Sequence, residues 1–234
     1  EELRIVKDST EKFGEKEYVP SFGFEREIEP EGIDLYRGKG LFFSDLKLSM
    51  KGLRGNGIIE YVTSTTKSDD FVFYMDSMVT QAYEFYNTND NAHQIPSASA
   101  QNIFQQWYPK EDYQLTSTRG VPFEMYYKEK LLTDSIKLTG TLKLEPRQLS
   151  GRGMMEFENS ELESNLFKYK DSFFDADTAN FALRSLTGDA LTFQTQNVKS
   201  HIDLAGKKGT FRANNKSTSY ATFPQNQYIC YMGA

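Results

Sequence analysis

Residues 171–181, DSFFDADTANF, carry oxygen-bearing side chains that could bind a cation: Asp171, Asp175, Asp177 and Asn180. Oxygen ligands two residues apart occur in calcium-binding loops, so calcium is one interpretation. The segment lacks the central glycine and the closing glutamate of an EF-hand. In a strand, residues two apart share one face at a fixed spacing, which is too rigid for one ion. We therefore favour a solvated strand face opposite Phe174 and Ala176, and we predict no metal site and no cofactor.

Histidine-based chemistry is weakly supported. His93 and His201 are the only histidines, and neither belongs to an H-x-x-H or HExxH spacing. No G-x-S-x-G motif is present, although a Ser-His-Asp arrangement assembled in space stays open. A glycosidase pair of carboxylates is also conceivable, but 33 acidic residues give no basis for choosing two. We assign no catalytic residue, and we interpret both histidines as surface or packing residues.

Two G-x-G motifs, at residues 55–57 and 151–153, raise the question of a phosphate-binding loop. Glu60 and Glu156 stand where a dinucleotide fingerprint has its third glycine, and no helical pattern follows either motif. We instead predict that the glycines provide positive φ angles, or room for close backbone approach at a tight turn.

Aromatic residues in the polar segment QQWYPKEDY are the best candidates for ligand binding: Trp107, Tyr108 and Tyr113. Exposed aromatic rings stack on sugar faces, and insertions on a repetitive scaffold often carry binding. The competing interpretation is that Trp107, close to Ile103 and Phe104, plugs a core. The core interpretation is favoured for Trp107. The three aromatic residues are kept as the candidate sugar-binding site.

The elements that must position these residues come from an internal duplication. Residues 46–73 align without gaps to residues 142–169, a constant offset of 96, and leucine, glycine, serine and phenylalanine positions recur in the same order. Self-similarity of this kind indicates supersecondary units that stack on one another. We expect equivalent core positions in the two copies: Leu46, Leu48, Phe71 and Phe73 in the first, and Leu142, Leu144, Phe167 and Tyr169 in the second.

Short alternating runs separated by Gly, Asn and Ser predict a mainly β fold, either a repetitive β-solenoid or an elongated stacked sheet. At most one short helix is expected, at residues 101–108, where Ile103, Phe104 and Trp107 have helical spacing and Pro109 ends it. Residues 1–32 form an N-terminal cap, residues 33–122 a first unit with an insertion at 86–120, and residues 123–234 a second unit. The two units are expected to stack as one continuous module.

Composition excludes several function classes. A net charge of −6 and a pI near 5.1 leave no basic footprint for nucleic acid. No apolar run approaches the roughly 18 residues of a membrane span. Cys230 is the only cysteine, so an internal disulfide is impossible, and we interpret it as a small strand residue.

The phrases LTGTLKLEPRQLSGRGMMEFENSELES and FDADTANFALRS resemble the repetitive, solenoid-like β regions of large exported proteins in Gram-negative bacteria. The pattern of glycines and alternating residues is also similar to that of the lipid-conduit proteins of the bacterial envelope, whose curled sheets form a hydrophobic groove. The resemblance covers residues 33–211 and transfers no site residues. It implies export, to the periplasm or the cell surface.

The function predicted is a non-enzymatic structural or binding segment of a larger bacterial surface or envelope protein. A carbohydrate-active β-solenoid enzyme and a lipid-carrying envelope groove are the alternatives. Expected partners are a glycan or neighbouring repeats of the same long chain, with no nucleic acid and no transmembrane segment. The chain starts at Glu1 and ends in an alternating strand, so we expect it to continue beyond Ala234 and its C-terminal edge to self-associate.

Overall fold

The structure is a computed structural model. It describes residues 4–12, 15–28, 30–88, 94–127, 136–185, 190–214, 218–223 and 228–232, and only the backbone for residues 4–22 and 228–232. His93 lies outside the described residues.

Every regular element in the described part of the chain is a β-strand, as the abundance of aromatic and β-branched residues favours. The first ten are β1 (Arg4–Lys12), β2 (Glu15–Glu27), β3 (Ile33–Leu35), β4 (Gly40–Ser49), β5 (Gly52–Tyr61), β6 (Ser64–Phe73), β7 (Met78–Asn87), β8 (Ser97–Tyr108), β9 (Tyr113–Thr118) and β10 (Phe123–Tyr126). The others are β11 (Ile136–Glu145), β12 (Gln148–Phe157), β13 (Ser160–Tyr169), β14 (Phe173–Arg184), β15 (Leu191–Asp203), β16 (Lys208–Ala213), β17 (Ser219–Phe223) and β18 (Tyr228–Met232). The prediction of a mainly β chain is confirmed.

The strands form one antiparallel sheet, most of it a meander in which chain neighbours pair. Strands β4 to β8 pair in succession, and so do β11 to β15. The two runs are joined by short strands, because β9 and β10 each pair with both β8 and β11. At the ends, β4 pairs with β2 and β3, and β15 pairs with β16 and β17.

The sheet coils strongly, so that one face closes on itself to form the core. Tyr36, in the turn before β4, contacts Trp107 of β8, and Tyr61 of β5 contacts the same indole. These contacts join residues from strands that are not hydrogen-bonded neighbours, which requires a coiled sheet. The buried apolar side chains form a single cluster that runs from Ile28 to Leu204.

The candidate helix at residues 101–108 is wrong. This segment belongs to β8, in which Ile103, Gln105 and Trp107 alternate as fully buried residues. Both edges of β8 are hydrogen-bonded, to β7 and to β9, and this pairing overrides the helical spacing of its apolar residues.

Seven of the eight predicted core positions lie against or within the core, whereas Leu48 does not. Leu48 is 46% exposed, and Leu46 is only partly buried. The corresponding Leu142 and Leu144 are 1% and 2% exposed. The two leucines of β11 pair with Thr116 and Gln114 of β9, which are themselves buried, whereas Leu48 lies at the far end of the sheet and pairs with Phe24 of β2.

The prediction that the glycines provide positive φ angles or room for close backbone approach is confirmed. Gly57 and Gly153 have φ angles of 131° and 130°. A Cβ atom on Gly57 would lie 2.2 Å from the Phe43 carbonyl oxygen, and one on Gly153 would lie 2.2 Å from that of Thr139. Both glycines lie at register shifts inside strands rather than at a turn, so they are parts of β-bulges.

The described strands are distributed over the predicted divisions as follows. Residues 1–32 contain β1 and β2, the boundary at 122/123 falls between β9 and β10, and the proposed insertion at 86–120 holds β8 and β9. Cys230 lies in β18, which pairs with β17. Among the described residues there is no helix long and apolar enough to span a membrane.

Candidate functional site

An apolar cavity of about 320 Å³ lies between β12, β14, β15 and β16 near the C-terminal end of the sheet. Its hydrophobic lining comes mainly from six side chains: Phe157, Phe181, Leu183, Phe193, Ile202 and Phe211. Its size is at the lower end of the range for small-molecule sites, and such sites are predominantly hydrophobic and aromatic.

Aromatic packing holds the wall of the cavity in place. The ring of Phe211 lies 4.7 Å from that of Phe181 and 5.8 Å from that of Phe193, measured between centroids. Phe193 also packs against Phe223 of β17 at 4.9 Å. Phe181 is buried, whereas Phe193 and Phe211 are only partly buried, so the wall is anchored in the core and opens toward solvent.

Charged residues surround the opening of the cavity. Lys207 comes from the turn between β15 and β16, Lys208 is the first residue of β16, and Glu158 and Asp203 line the same cavity. The Asp203 carboxylate accepts a hydrogen bond of 2.8 Å from the Gly206 backbone N–H, which holds that turn. The cavity therefore has an apolar interior and an opening with two positive and two negative groups.

A second concave surface, of about 540 Å³, lies on the outer face of β13 to β16, and most of its lining residues are charged or polar. There His201 Nδ1 lies 2.7 Å from an Asp175 carboxylate oxygen, and both side chains are about half exposed. Lys199 and Arg212 stand opposite each other in the register of β15 and β16. Such a surface can bind a polar ligand through the exposed side chains of His201, Asp175, Lys199 and Arg212.

The acidic segment considered for calcium contributes to this polar surface. Phe174 and Ala176 are buried and Asp175 is exposed, which confirms the predicted alternation. One Asp177 carboxylate oxygen is buried and has no hydrogen-bond partner among the described residues. In the described part of the chain, no group of three His, Cys, Asp or Glu side chains is arranged to hold a metal ion.

The predicted aromatic site is divided by the fold. Trp107 is completely buried, with its ring 5.2 Å from Tyr36 and 5.4 Å from Tyr61. Tyr108 and Tyr113 pair across β8 and β9 with their rings 5.0 Å apart, and the Lys143 ammonium lies 4.5 Å above the Tyr113 ring. The structure thus brings Tyr108 and Tyr113 together and places Trp107 in the core.

Several tyrosines around the core have raised pKa values. Burial raises the pKa of Tyr36 to about 12, with a smaller contribution in the same direction from the Asp76 carboxylate. Burial is also the main cause of the raised pKa values of Tyr61, Tyr127 and Tyr169. These hydroxyls stay protonated in the folded protein and do not act as bases near neutral pH.

The residues that line the apolar cavity were missed by sequence reasoning. Their phenylalanines have the pattern of ordinary strand residues. Alternation shows which face of the sheet a side chain occupies, but not whether other side chains pack fully against that face. A signal was available in the duplication, since extending it past residue 169 aligns Ile202 and Gly209 of the second half with the larger Trp107 and Gln114 of the first.

Comparison with known proteins finds no matching family model, no matching curated protein and no matching solved structure.

Proposed function

We propose that this chain is a non-enzymatic structural or binding segment of a larger bacterial surface or envelope protein, built from two copies of one seven-strand β unit. The observation that carries the proposal is the recurrence of strand positions along the chain. The first unit is β4 to β10 and the second is β11 to β17, so the division falls after β10 (Phe123–Tyr126) rather than at the predicted boundary of 122/123.

The strand boundaries recur at a constant spacing. Strands β4, β5 and β6 span Gly40–Ser49, Gly52–Tyr61 and Ser64–Phe73. Strands β11, β12 and β13 span Ile136–Glu145, Gln148–Phe157 and Ser160–Tyr169. Each boundary of the second set lies 96 residues after its counterpart, so the proposed copies have the same strand and turn lengths.

Hydrogen bonds of one buried serine recur with the same partners. Ser68 Oγ accepts a 3.1 Å bond from the Asp70 backbone N–H and donates one of 3.1 Å to the Gln81 carbonyl. Ser164 Oγ accepts a 3.1 Å bond from the Leu166 N–H and donates one of 2.5 Å to the Asp177 carbonyl. In both strands this serine follows the bulge at the second glycine, which explains why a hydroxyl is present at both positions.

Turn contacts recur as well. The Thr88 N–H donates to the Thr63 carbonyl, and the Arg184 N–H donates to the Asn159 carbonyl, each at 2.9 Å. Both members of the second pair lie 96 residues after those of the first. A duplicated unit that pairs edge to edge with its neighbour is the organisation of elongated repetitive β proteins, in which each unit stabilises the next.

Cell fractionation tests the proposal. An antiserum raised against residues 1–234 would be applied to intact source cells, with and without external protease and after permeabilisation of the outer membrane. We expect a species larger than 26.9 kDa that the protease degrades either in intact cells or after permeabilisation of the outer membrane, while a cytosolic marker stays intact. A 26.9 kDa species that is protected with the cytosolic marker would contradict the proposal.

The non-enzymatic part has its own test. The purified chain would be incubated with a panel of polysaccharides and assayed for new reducing ends. We expect no turnover above a heat-denatured control. Turnover that is lost on replacing a carboxylate by its amide would favour the carbohydrate-active alternative.

A further inference from the structure

We propose that the cavity beside Ile202 is a binding site for a small apolar ligand whose hydrophobic part is about as large as an indole ring. The proposal is supported by a comparison of the cavity with the matching place in the first unit, and that comparison rests on the two-unit arrangement proposed above. The binding site itself depends only on the cavity.

The matching place in the first unit is filled by the chain's own side chains. Trp107 pairs with Met78 on one side and Gln114 on the other, and Ile202 pairs with Phe174 and Gly209 in the same way. Trp107 is fully buried against Tyr61, whose counterpart Phe157 lines the cavity. An indole ring therefore occupies in the first unit the position that Ile202 leaves partly empty in the second.

A second substitution lies beside the same space. In the first unit the Gln114 side-chain oxygen accepts a 2.9 Å hydrogen bond from Ser64 Oγ. The counterpart of Gln114 is Gly209, where a Cβ atom would be in tight contact, 3.3 Å from Ile202 Cδ1 and 3.4 Å from the Phe211 ring, so a longer side chain there would have to displace the cavity lining. The cavity thus arises where the second unit has isoleucine and glycine in place of tryptophan and glutamine.

The lining of the space also changes from polar to apolar between the units. Thr116 is buried in the first unit and accepts a 3.1 Å hydrogen bond from Gln105. Its counterpart by register is Phe211, one wall of the cavity. Likewise Asn87 in the first unit corresponds to Leu183 in the second. A space that has lost both its filling side chains and its polar partners favours an uncharged apolar group, because a polar group there would lack hydrogen-bond partners.

Titration with N-phenyl-1-naphthylamine, an uncharged probe whose fluorescence rises in apolar surroundings, tests the proposal on the full chain. We expect saturable binding of one probe per chain. Ile202→Trp and Gly209→Gln, which copy the first unit, should each weaken binding at least tenfold. Tyr83→Trp adds an indole at a half-exposed position of β7 and should leave binding unchanged. Two variants are used because either could disturb folding, which circular dichroism would show.

The reverse change provides an independent arm. Trp107→Ile, or Gln114→Gly if the first variant fails to fold, should open the equivalent space and raise the probe stoichiometry from one to two.

Absence of saturable binding by the wild-type chain, as when another segment of the chain occupies the cavity, overturns the proposal. Unchanged affinity in folded Ile202→Trp and Gly209→Gln also overturns it. Binding that appears only with self-association in sedimentation assigns the cavity to a second copy and likewise contradicts the proposal. These results are independent of the cell fractionation, so either proposal can fail alone.

Discussion

Tyr36 and Trp107 meet edge to face, with ring centroids 5.2 Å apart and planes at 86°. The Tyr36 hydroxyl also donates to the carbonyl oxygens of Tyr74 and Ser77, at 2.8 and 2.5 Å. One side chain therefore joins the turn before β4, the turn between β6 and β7, and the only tryptophan of the chain. This contact joins segments far apart along the meander and contributes to coiling of the sheet.

Alkaline pH is expected to destabilise the fold. Tyr36 has a pKa of about 12 in the folded protein against 10.0 ordinarily, and burial raises that of Tyr169 well above 10.0. Because the unfolded chain releases these protons at lower pH than the folded one, the stabilisation is complete below pH 10 and is lost as pH rises through the folded-state pKa values. The free energy of unfolding, from urea titrations between pH 8 and 11.5, should fall above pH 10.

Tyr169→Phe is the matched variant for this prediction. It retains the buried ring but removes the ionising hydroxyl, which lies 3.7 Å from the Met155 sulfur. The decline of stability above pH 10 should be shallower than in the wild-type chain. An identical pH profile in the two proteins would show that Tyr169 does not contribute to the alkaline loss.

Phe167→Ala should cost roughly 3–5 kcal/mol of folding free energy, because large-to-small changes in a core lose both transfer energy and packing. Phe167 is fully buried and stacks on Tyr169 at 5.9 Å. Its chain neighbour Leu166, 38% exposed on the opposite face, provides the control. Urea titration of Leu166→Ala should show a much smaller loss, and similar losses in the two variants would contradict the assigned strand facing.

Ser68→Ala and Ser164→Ala should each destabilise the protein by about 1–3 kcal/mol, because each removes the hydrogen-bond partner of partly buried backbone groups. Both serines accept a hydrogen bond from the N–H two residues on and donate one to a carbonyl of the next strand. Ser68 also bonds Thr80 Oγ1 at 2.6 Å, a partner that Ser164 lacks among the described residues. Denaturant titration of the two single variants and the double variant measures this. Strongly unequal costs would weigh against two equivalent units.

Gly153→Ala should destabilise the chain more than Gly120→Ala. Both glycines have positive φ angles, 130° and 85°, so both variants carry backbone strain, of about 1–3 kcal/mol. Only at Gly153 would the new Cβ atom also collide with backbone, 2.2 Å from the Thr139 oxygen, whereas the space around Gly120 is open. In thermal unfolding, Gly153→Ala should have the lower melting temperature, and the difference from Gly120→Ala reports the cost of the collision. Equal melting temperatures would contradict the close approach.

Alternation and glycine spacing, which are local properties, were sufficient to predict a mainly β chain and its buried positions in β6, β11 and β13. Phe71, Leu142 and Phe167 are buried as predicted, because a side-chain period of two determines which residues share a face. The positive φ angles of Gly57 and Gly153 were predicted from the same kind of information, since glycine is the residue that adopts such angles beside a close carbonyl, whereas their place in β-bulges rather than at a tight turn was not.

Tertiary structure alone decided the conformation of residues 101–108, the exposure of Leu48 and the position of the cavity. The helical spacing of Ile103, Phe104 and Trp107 has no effect once both edges of β8 are hydrogen-bonded. Leu48 has the same alternating pattern as Leu144, but only Leu144 has buried β9 residues beside it. The space beside Ile202 depends on which side chains meet across a coiled sheet, and that is a property of distant contacts rather than of any local pattern.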